Sequence, residues 1–185
     1  MGNTGSTTVV RGETIMPWSN PENQQWVIDK VKQLQPKTII DVGAGAGTYA
    51  KLLKPHIPSH YVAIEIFNNY IDEYKLKELY NEVWAEDVRS YNSLTADLII
   101  FGDVLEHMSK EEAIKVWDVA SKGCKYGIIS LPIIHYPQGE WFGNIHETHI
   151  VDDWDNIKVW EAFKGITECI VGKETGTYLA KFKEK

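Results

Sequence analysis

The sequence predicts an α/β domain, a doubly wound and mostly parallel seven-stranded sheet that closes with an antiparallel hairpin. Three observations carry this reading. Short apolar runs of strand length alternate with segments whose apolar residues recur at helical spacing. A glycine-rich turn, with Gly43, Gly45 and Gly47, stands between the first such run and the helix after it. The last two strands face each other around Gly172 and Gly176.

Residues 1–13 are small and polar and read as a flexible lead-in, leaving 14–185 as one domain. Asn20 before Pro21 marks a helix start, and Val27, Ile28, Val31 and Leu34 form its apolar stripe, which ends before Pro36. Thr38–Val42 is the first strand, and the helix from Thr48 to Lys54 stops at Pro55. Tyr61–Glu65 is the second strand, followed by a helix from Tyr70 to Tyr80 on the spacing of Ile71, Tyr74 and Leu79. Glu82–Ala85 and Asp97–Phe101 are the third and fourth strands, the latter almost wholly apolar as a central strand covered on both faces should be. Ser109 with Glu112 is a capping box, and the helix it opens turns Ala113, Val116, Trp117 and Ala120 inward before Gly123. Tyr126–Leu131 is the fifth strand. After a long loop, Asp152 or Asp153 caps a helix ending near Gly165, and Thr167–Val171 pairs with Thr177–Phe182.

Composition narrows the function. With 185 residues and 43% apolar content, one compact core is affordable and a second catalytic domain is not. A formal charge of −7 argues against broad electrostatic capture of nucleic acid or anionic membrane and favours a small-molecule partner. The two cysteines, Cys124 and Cys169, suggest neither a disulfide framework nor a thiolate zinc site. No apolar run reaches membrane-spanning length and no signal-peptide core is present, so the expected location is cytoplasmic.

In a doubly wound sheet the ligand site lies at the carboxyl ends of the strands. There the glycine turn lets backbone approach a ligand closely, and Glu65, ending the second strand, can accept hydrogen bonds from ribose hydroxyls. Thr48 stands where a dinucleotide fingerprint would place its third glycine, which weakens a nucleotide-dehydrogenase reading. The alternatives are an ordinary strand-to-helix turn for the glycines, a solvated strand end for Glu65 and a turn former for Asp87.

The run Asp41 to Gly47, then Glu65, then Glu86-Asp87-Val88, then Phe101-Gly-Asp103-Val-Leu-Glu106-His107 resembles the class I S-adenosylmethionine-dependent methyltransferases, over roughly residues 20–183. The resemblance implies a Rossmann-like fold and S-adenosylmethionine as cofactor. It implies that Asp41, Gly43, Ala44, Gly45 and Gly47 hold the methionine moiety, Glu65 the ribose and Asp87 the adenine amino group, with Asp103 also in the cofactor set. The Asn/Asp-Pro-Pro-aromatic turn of DNA amino-methyltransferases and the Pro-Cys nucleophile of pyrimidine-carbon methylation are both missing.

Asp103, Glu106 and His107 follow the fourth strand, and His146 and His149 lie in the long loop after the fifth. The set resembles the Glu-x-x-Glu-His plus later His arrangement of small-RNA 3′-terminal 2′-O-methyltransferases, and also a segment of ubiquinone-biosynthesis O-methyltransferases. The first resemblance implies a divalent metal, magnesium or manganese, on Asp103, Glu106, His107 and His149. Without metal, the same turn serves as a loop anchor, or His107 or a loop histidine acts as a base. The loop's His135, Tyr136, Trp141 and Phe142 read as an acceptor lid, or as cover for the sheet edge. Trp18 reads as a closure over the cofactor or a staple on the first helix. The leading expectation is O-methylation of a small hydroxylated molecule, with Asp103, Glu106, His107 and His149 on the reaction side. An RNA-end 2′-O-methyltransferase and a non-catalytic S-adenosylmethionine-binding protein are the rivals.

Overall fold

A computed structural model describes residues 19–141 and 143–182. The lead-in 1–13, Trp18 and Phe142 therefore lie outside the described residues. Seven strands form one sheet in the order β3-β2-β1-β4-β5-β7-β6. They are β1 (Thr38–Val42), β2 (His60–Ile64), β3 (Glu82–Trp84), β4 (Leu98–Gly102), β5 (Tyr126–Pro132), β6 (Ile166–Val171) and β7 (Thr175–Lys181). β1 to β5 run parallel, whereas β7 runs antiparallel to both β5 and β6. Strand order reverses between β1 and β4, so the crevice beyond their carboxyl ends is where this topology places a ligand.

Alternation along each strand divides the core in two. Ile39, Leu98, Ile100 and Ile128 pack under α1 (Gln24–Leu34) and α2 (Thr48–Leu53), with Val27, Ile28 and Val31 of α1 buried there. Ile40, Val42, Ile99, Phe101 and Ile129 face α5 (Lys110–Gly123) through Trp117 and Val116. Between these layers β4 is buried at every position, which is why it reads as an unbroken apolar run. Among the described residues no helix is long and apolar enough to cross a membrane.

Four local expectations change in the tertiary setting. α1 begins at Gln24, not Asn20, because Asn20 Oδ1 accepts the Glu22 N–H at 2.8 Å and Asn23 takes a left-handed conformation with φ 71°. Residues 20–23 are instead stitched to distant backbone. Glu22 accepts from the N–H groups of Lys173, Glu174 and Thr175 at 2.7, 3.0 and 2.9 Å, and Asn23 Nδ2 donates to the Thr175 carbonyl at 3.0 Å. The helix expected over 70–80 is two short pieces, α3 (Asn68–Glu73) and α4 (Leu76–Leu79), broken at Lys75 with φ 52°. The break sets Leu79 against Gly47, where φ is 75° and a Cβ would collide with the leucine.

α6 (Asn156–Ala162) is capped by Asp155, whose Oδ1 accepts the Lys158 N–H at 2.8 Å, while Asp153 forms an ion pair with Lys158 at 2.7 Å. Finally, Gly176 lies inside β7 instead of at the hairpin turn.

The capping box of α5 forms as expected. Ser109 Oγ accepts the Glu112 N–H at 3.2 Å and Glu112 returns by accepting the Ser109 N–H at 2.9 Å. Ser109→Ala should cost about 1 kcal/mol, which for a chain of this size lowers Tm by about 2–4 °C in a calorimetric scan. An unchanged Tm would show that tertiary packing alone holds the start of α5.

Candidate functional site

Beyond the carboxyl ends of β1, β2 and β4 lies an open cleft of about 850 Å³. It is framed by the glycine turn, Glu65, the segment Glu86–Arg89, the turn Gly102–Met108 and two residues of the long loop, His146 and Glu147.

The glycine turn is closed by the Gly43 N–H, which donates to the Ile64 carbonyl at 2.8 Å. Gly43 has φ 62°, and a side chain there would meet Val104 from the turn after β4. Glu65 is 4% exposed, with one carboxylate oxygen accepting the Gly45 N–H at 2.8 Å and the other the Phe67 N–H at 2.9 Å. Burial holds its pKa above the ordinary carboxylate range despite those bonds.

Of the expected cofactor residues, Gly43, Ala44, Gly45, Glu65, Asp87 and Asp103 line the cleft. Asp41 and Gly47 stand outside that lining. Asp41 is 2% exposed beneath the turn, accepts the Tyr80 hydroxyl, and is pushed by burial to a pKa of about 7. Asp87 accepts the Arg89 N–H at 2.8 Å and takes the Arg89 guanidinium at 2.6 Å. Arg89 also reaches Glu112 at 3.1 Å, which ties this corner to α5.

The four expected reaction-side residues divide. Asp103 adopts φ 53°, its N–H donates to the Ser130 carbonyl at 2.7 Å, and its Oδ2 accepts the Asn20 N–H at 3.1 Å. Burial brings its carboxyl to a pKa of about 7. Glu106, His107 and His149 come together, with one ligand atom from each lying within 4.8 Å of the others. Asp103 is not part of that group. Asp103 Oδ2 is engaged by the Asn20 N–H, while its charge still acts on Glu106. Between the two loop histidines, His149 joins the cluster and His146 lines the cleft.

Glu106 is 1% exposed, and neither carboxylate oxygen has a hydrogen-bond partner among the described residues. Burial first and Asp103 second push its pKa well up. The rings of His107 and His149 stand 4.9 Å apart, edge to face. His107 Nδ1 faces the Thr148 carbonyl at 3.3 Å and His149 Nδ1 the Tyr136 carbonyl at 2.6 Å, so each neutral ring carries its proton there and keeps a lone pair on Nε2. Burial, then the neighbouring His149, lowers the His107 pKa to about 4, and burial lowers that of His149.

One cleft residue has no local sequence signal. Glu147 is 8% exposed, and its Oε1 accepts from the Tyr70 hydroxyl at 3.1 Å and Asn144 Nδ2 at 3.4 Å. It brings the long loop down onto α3 across 77 residues of sequence, a contact no local pattern announces. Trp141 is half-buried and exchanges backbone bonds with Asn144 at 3.2 and 2.8 Å.

A methyltransferase-domain family model matches residues 23–114. No curated protein is similar enough in sequence to count as a relative. An S-adenosylmethionine-dependent methyltransferase from Clostridium acetobutylicum superposes with a TM-score of 0.66 at 14% identity, over 87% of this chain and 91% of that one. The N-terminal domain of EvdMO1, solved with SAH and D-fucose, gives 0.64 at 10% identity over 89% and 85%. An O-methyltransferase family 2 protein from Planctomyces limnophilus, in complex with apigenin, gives 0.58 at 12% identity over 79% of this chain and 50% of that one. At these identities the likeness is one of fold. Strand order and the glycine turn agree with the fold of the class I S-adenosylmethionine-dependent methyltransferases, and the methyltransferase-domain match over residues 23–114 falls on the same segment.

Proposed function

We propose that the chain methylates a hydroxyl oxygen of a small hydroxylated molecule, with Gly43 to Gly45, Glu65, Asp87 and Asp103 holding the cofactor. When bound, S-adenosylmethionine supplies a methyl group on a sulfonium that an aligned nucleophile can displace. Glu65 offers its remaining lone pairs to ribose hydroxyls, Asp87 to an adenine amino group, and Asp103 a carboxyl for the positively charged end. Asp41 acts indirectly, by supporting the turn through Tyr80.

The observation that carries the oxygen-directed reading is His107. It lines the cleft, and with Nδ1 facing the Thr148 carbonyl its Nε2 lone pair is left to receive a hydroxyl proton. The net charge of −7 favours an uncharged acceptor over a polyanionic RNA end. Fold neighbours solved with D-fucose or apigenin point the same way.

S-adenosylmethionine and its demethylated product should raise Tm in a thermal shift assay, whereas nicotinamide dinucleotides should not. Glu65→Ala should weaken cofactor binding by roughly 1–3 kcal/mol. Retained affinity in that variant would remove Glu65 from the ribose site. A mass increase of one methyl group on a hydroxylated acceptor, lost in His107→Ala, would establish the reaction. Methylation confined to nitrogen acceptors would overturn the oxygen assignment.

Protonation gives a separate test. Asp41 and Asp103 have folded pKa values of about 7 against 3.8 in the free side chain, so the folded state retains protons that the unfolded chain releases. Their contribution to stability therefore falls as pH rises from about 4 through 7. His107, depressed from 6.5 to about 4, works in the opposite direction, but its contribution is complete once pH passes 6.5. The Tm of the ligand-free chain should thus decrease between about pH 6.5 and 8. A rise across that range would show that the two carboxyls are already ionised in the folded chain.

A further inference from the structure

The loop after β5 carries one buried acid that the cofactor assignments above leave without a task. The loop leaves β5 at Pro132, yet Glu147 Oε1 accepts the hydroxyl of Tyr70 on α3, the helix that follows β2. In the strand order β2-β1-β4-β5 this contact carries the loop back over the carboxyl ends of β4 and β1. That path brings Glu147 into the wall of the cleft, where it is 8% exposed. Its two hydrogen bonds, from Tyr70 and from Asn144 Nδ2, both fall on Oε1, which leaves Oε2 for what occupies the cleft.

The electrostatic neighbours of Glu147 locate it along the ligand. It interacts with Glu65, after β2, and with Asp103, after β4, a like charge in each case. Two strand spacings, about 10 Å, separate β2 from β4, so Glu147 acts on the interval between these two carboxyls. Among the described residues Arg89 is the only lysine or arginine in the cleft wall, and Asp87 and Glu112 take its guanidinium. Asp103 Oδ1 is moreover buried with no hydrogen-bond partner among the described residues. Acids left unpaired in this way cost stability until a positive charge enters between them.

In the cofactor placement proposed above, on which this inference rests, Glu65 meets the ribose and Asp103 the ammonium end, and the sulfonium lies between those groups. We propose that Glu147 makes the cleft selective for the sulfonium charge, favouring S-adenosylmethionine over its demethylated product. The two ligands differ by one methyl group and one positive charge. Contacts to adenine, ribose and amino acid are common to both, so selectivity depends on what surrounds the sulfur. Once the methyl group has left, the sulfur is neutral, and the attraction from Glu147 is gone when the product has to dissociate.

The test needs no acceptor. Calorimetric titration of the full chain compares three ligands: S-adenosylmethionine, its demethylated product, and sinefungin, which carries a protonated amine where the cofactor has its sulfonium methyl. Glu147→Gln keeps an oxygen for Tyr70 and removes the charge. It should weaken both cationic ligands relative to the neutral product by at least about 10-fold, the effect of one unit charge acting across several ångströms of partly screened protein. Affinity for the product should stay the same or rise. Glu140→Gln, the same change at an exposed position of the same loop, should leave all three affinities as in the parent. Should the glutamine variant fail to fold, as read by circular dichroism, Glu147→Ala carries the same comparison.

An unchanged ratio of affinities, with or without a general weakening, would reduce Glu147 to a tether of the loop and overturn the proposal. A loss confined to S-adenosylmethionine would overturn it too, because it would mark a contact with the methyl group and not with charge. So would the same change of ratio in Glu140→Gln, which would mark net charge alone. Each of these results leaves the cofactor reading standing. Failure of all three ligands to bind the parent chain would overturn that reading and this inference together.

Discussion

A single carboxylate joins the two halves of the cofactor side. Glu65 extends from the end of β2 and accepts the Gly45 N–H with one oxygen and the Phe67 N–H with the other. The first bond holds the glycine turn after β1 against the neighbouring strand, and the second starts the chain toward α3. Backbone N–H groups exposed by a tight turn need partners, and here a charged side chain provides one where no strand can. The same oxygens face the cleft, so the group that orders the turn also offers acceptors to a ligand.

The consequences reach outward from that point. Asp41 beneath the turn, Glu106 and Glu147 share the site with Glu65 as buried carboxyls, all with raised pKa values. Concentrating acids in a low-dielectric pocket opposes their ionisation and costs stability, and natural folds accept such a cost chiefly at functional sites. Of these, Glu65 and Glu147 line a cleft whose ligand, in the proposed reaction, carries positive charge. The ligand would compensate in the bound state what the empty pocket leaves uncompensated.

The long loop after β5 is the other organising segment. It contributes His146 and Glu147 to the cleft and His149 to the cluster beside it, and it docks by the Tyr70–Glu147 bond on one side and the Glu106 carbonyl on the other. Ile145 and Ile150 on this loop remain 65% and 59% exposed, so burial of its own side chains does little to hold it down. Directed polar contacts set its position, which makes the loop responsive to what occupies the site.

Much of this protein was readable where the governing forces are local. Thr38–Val42 is a strand because a short run built on Ile39, Ile40 and Val42 is bounded by Pro36 and by glycines, and Ser109 with Glu112 caps α5 because both partners lie within one turn. The glycine turn and Glu65 announced themselves by order and spacing along alternating strands and helices. The start of α1 was settled instead by partners far away in sequence, the 173–175 backbone that holds Glu22.

The candidate site divides along the same line. Sequence by itself determined the fold class and the residue types brought to the carboxyl ends of the strands, because hydrophobic periodicity and turn chemistry act over a few residues. Only the tertiary structure gathered Glu106, His107 and His149 and brought Glu147 to the cleft. Those outcomes depend on a loop folded across the sheet, and such long-range contacts leave no periodic trace in the chain that makes them.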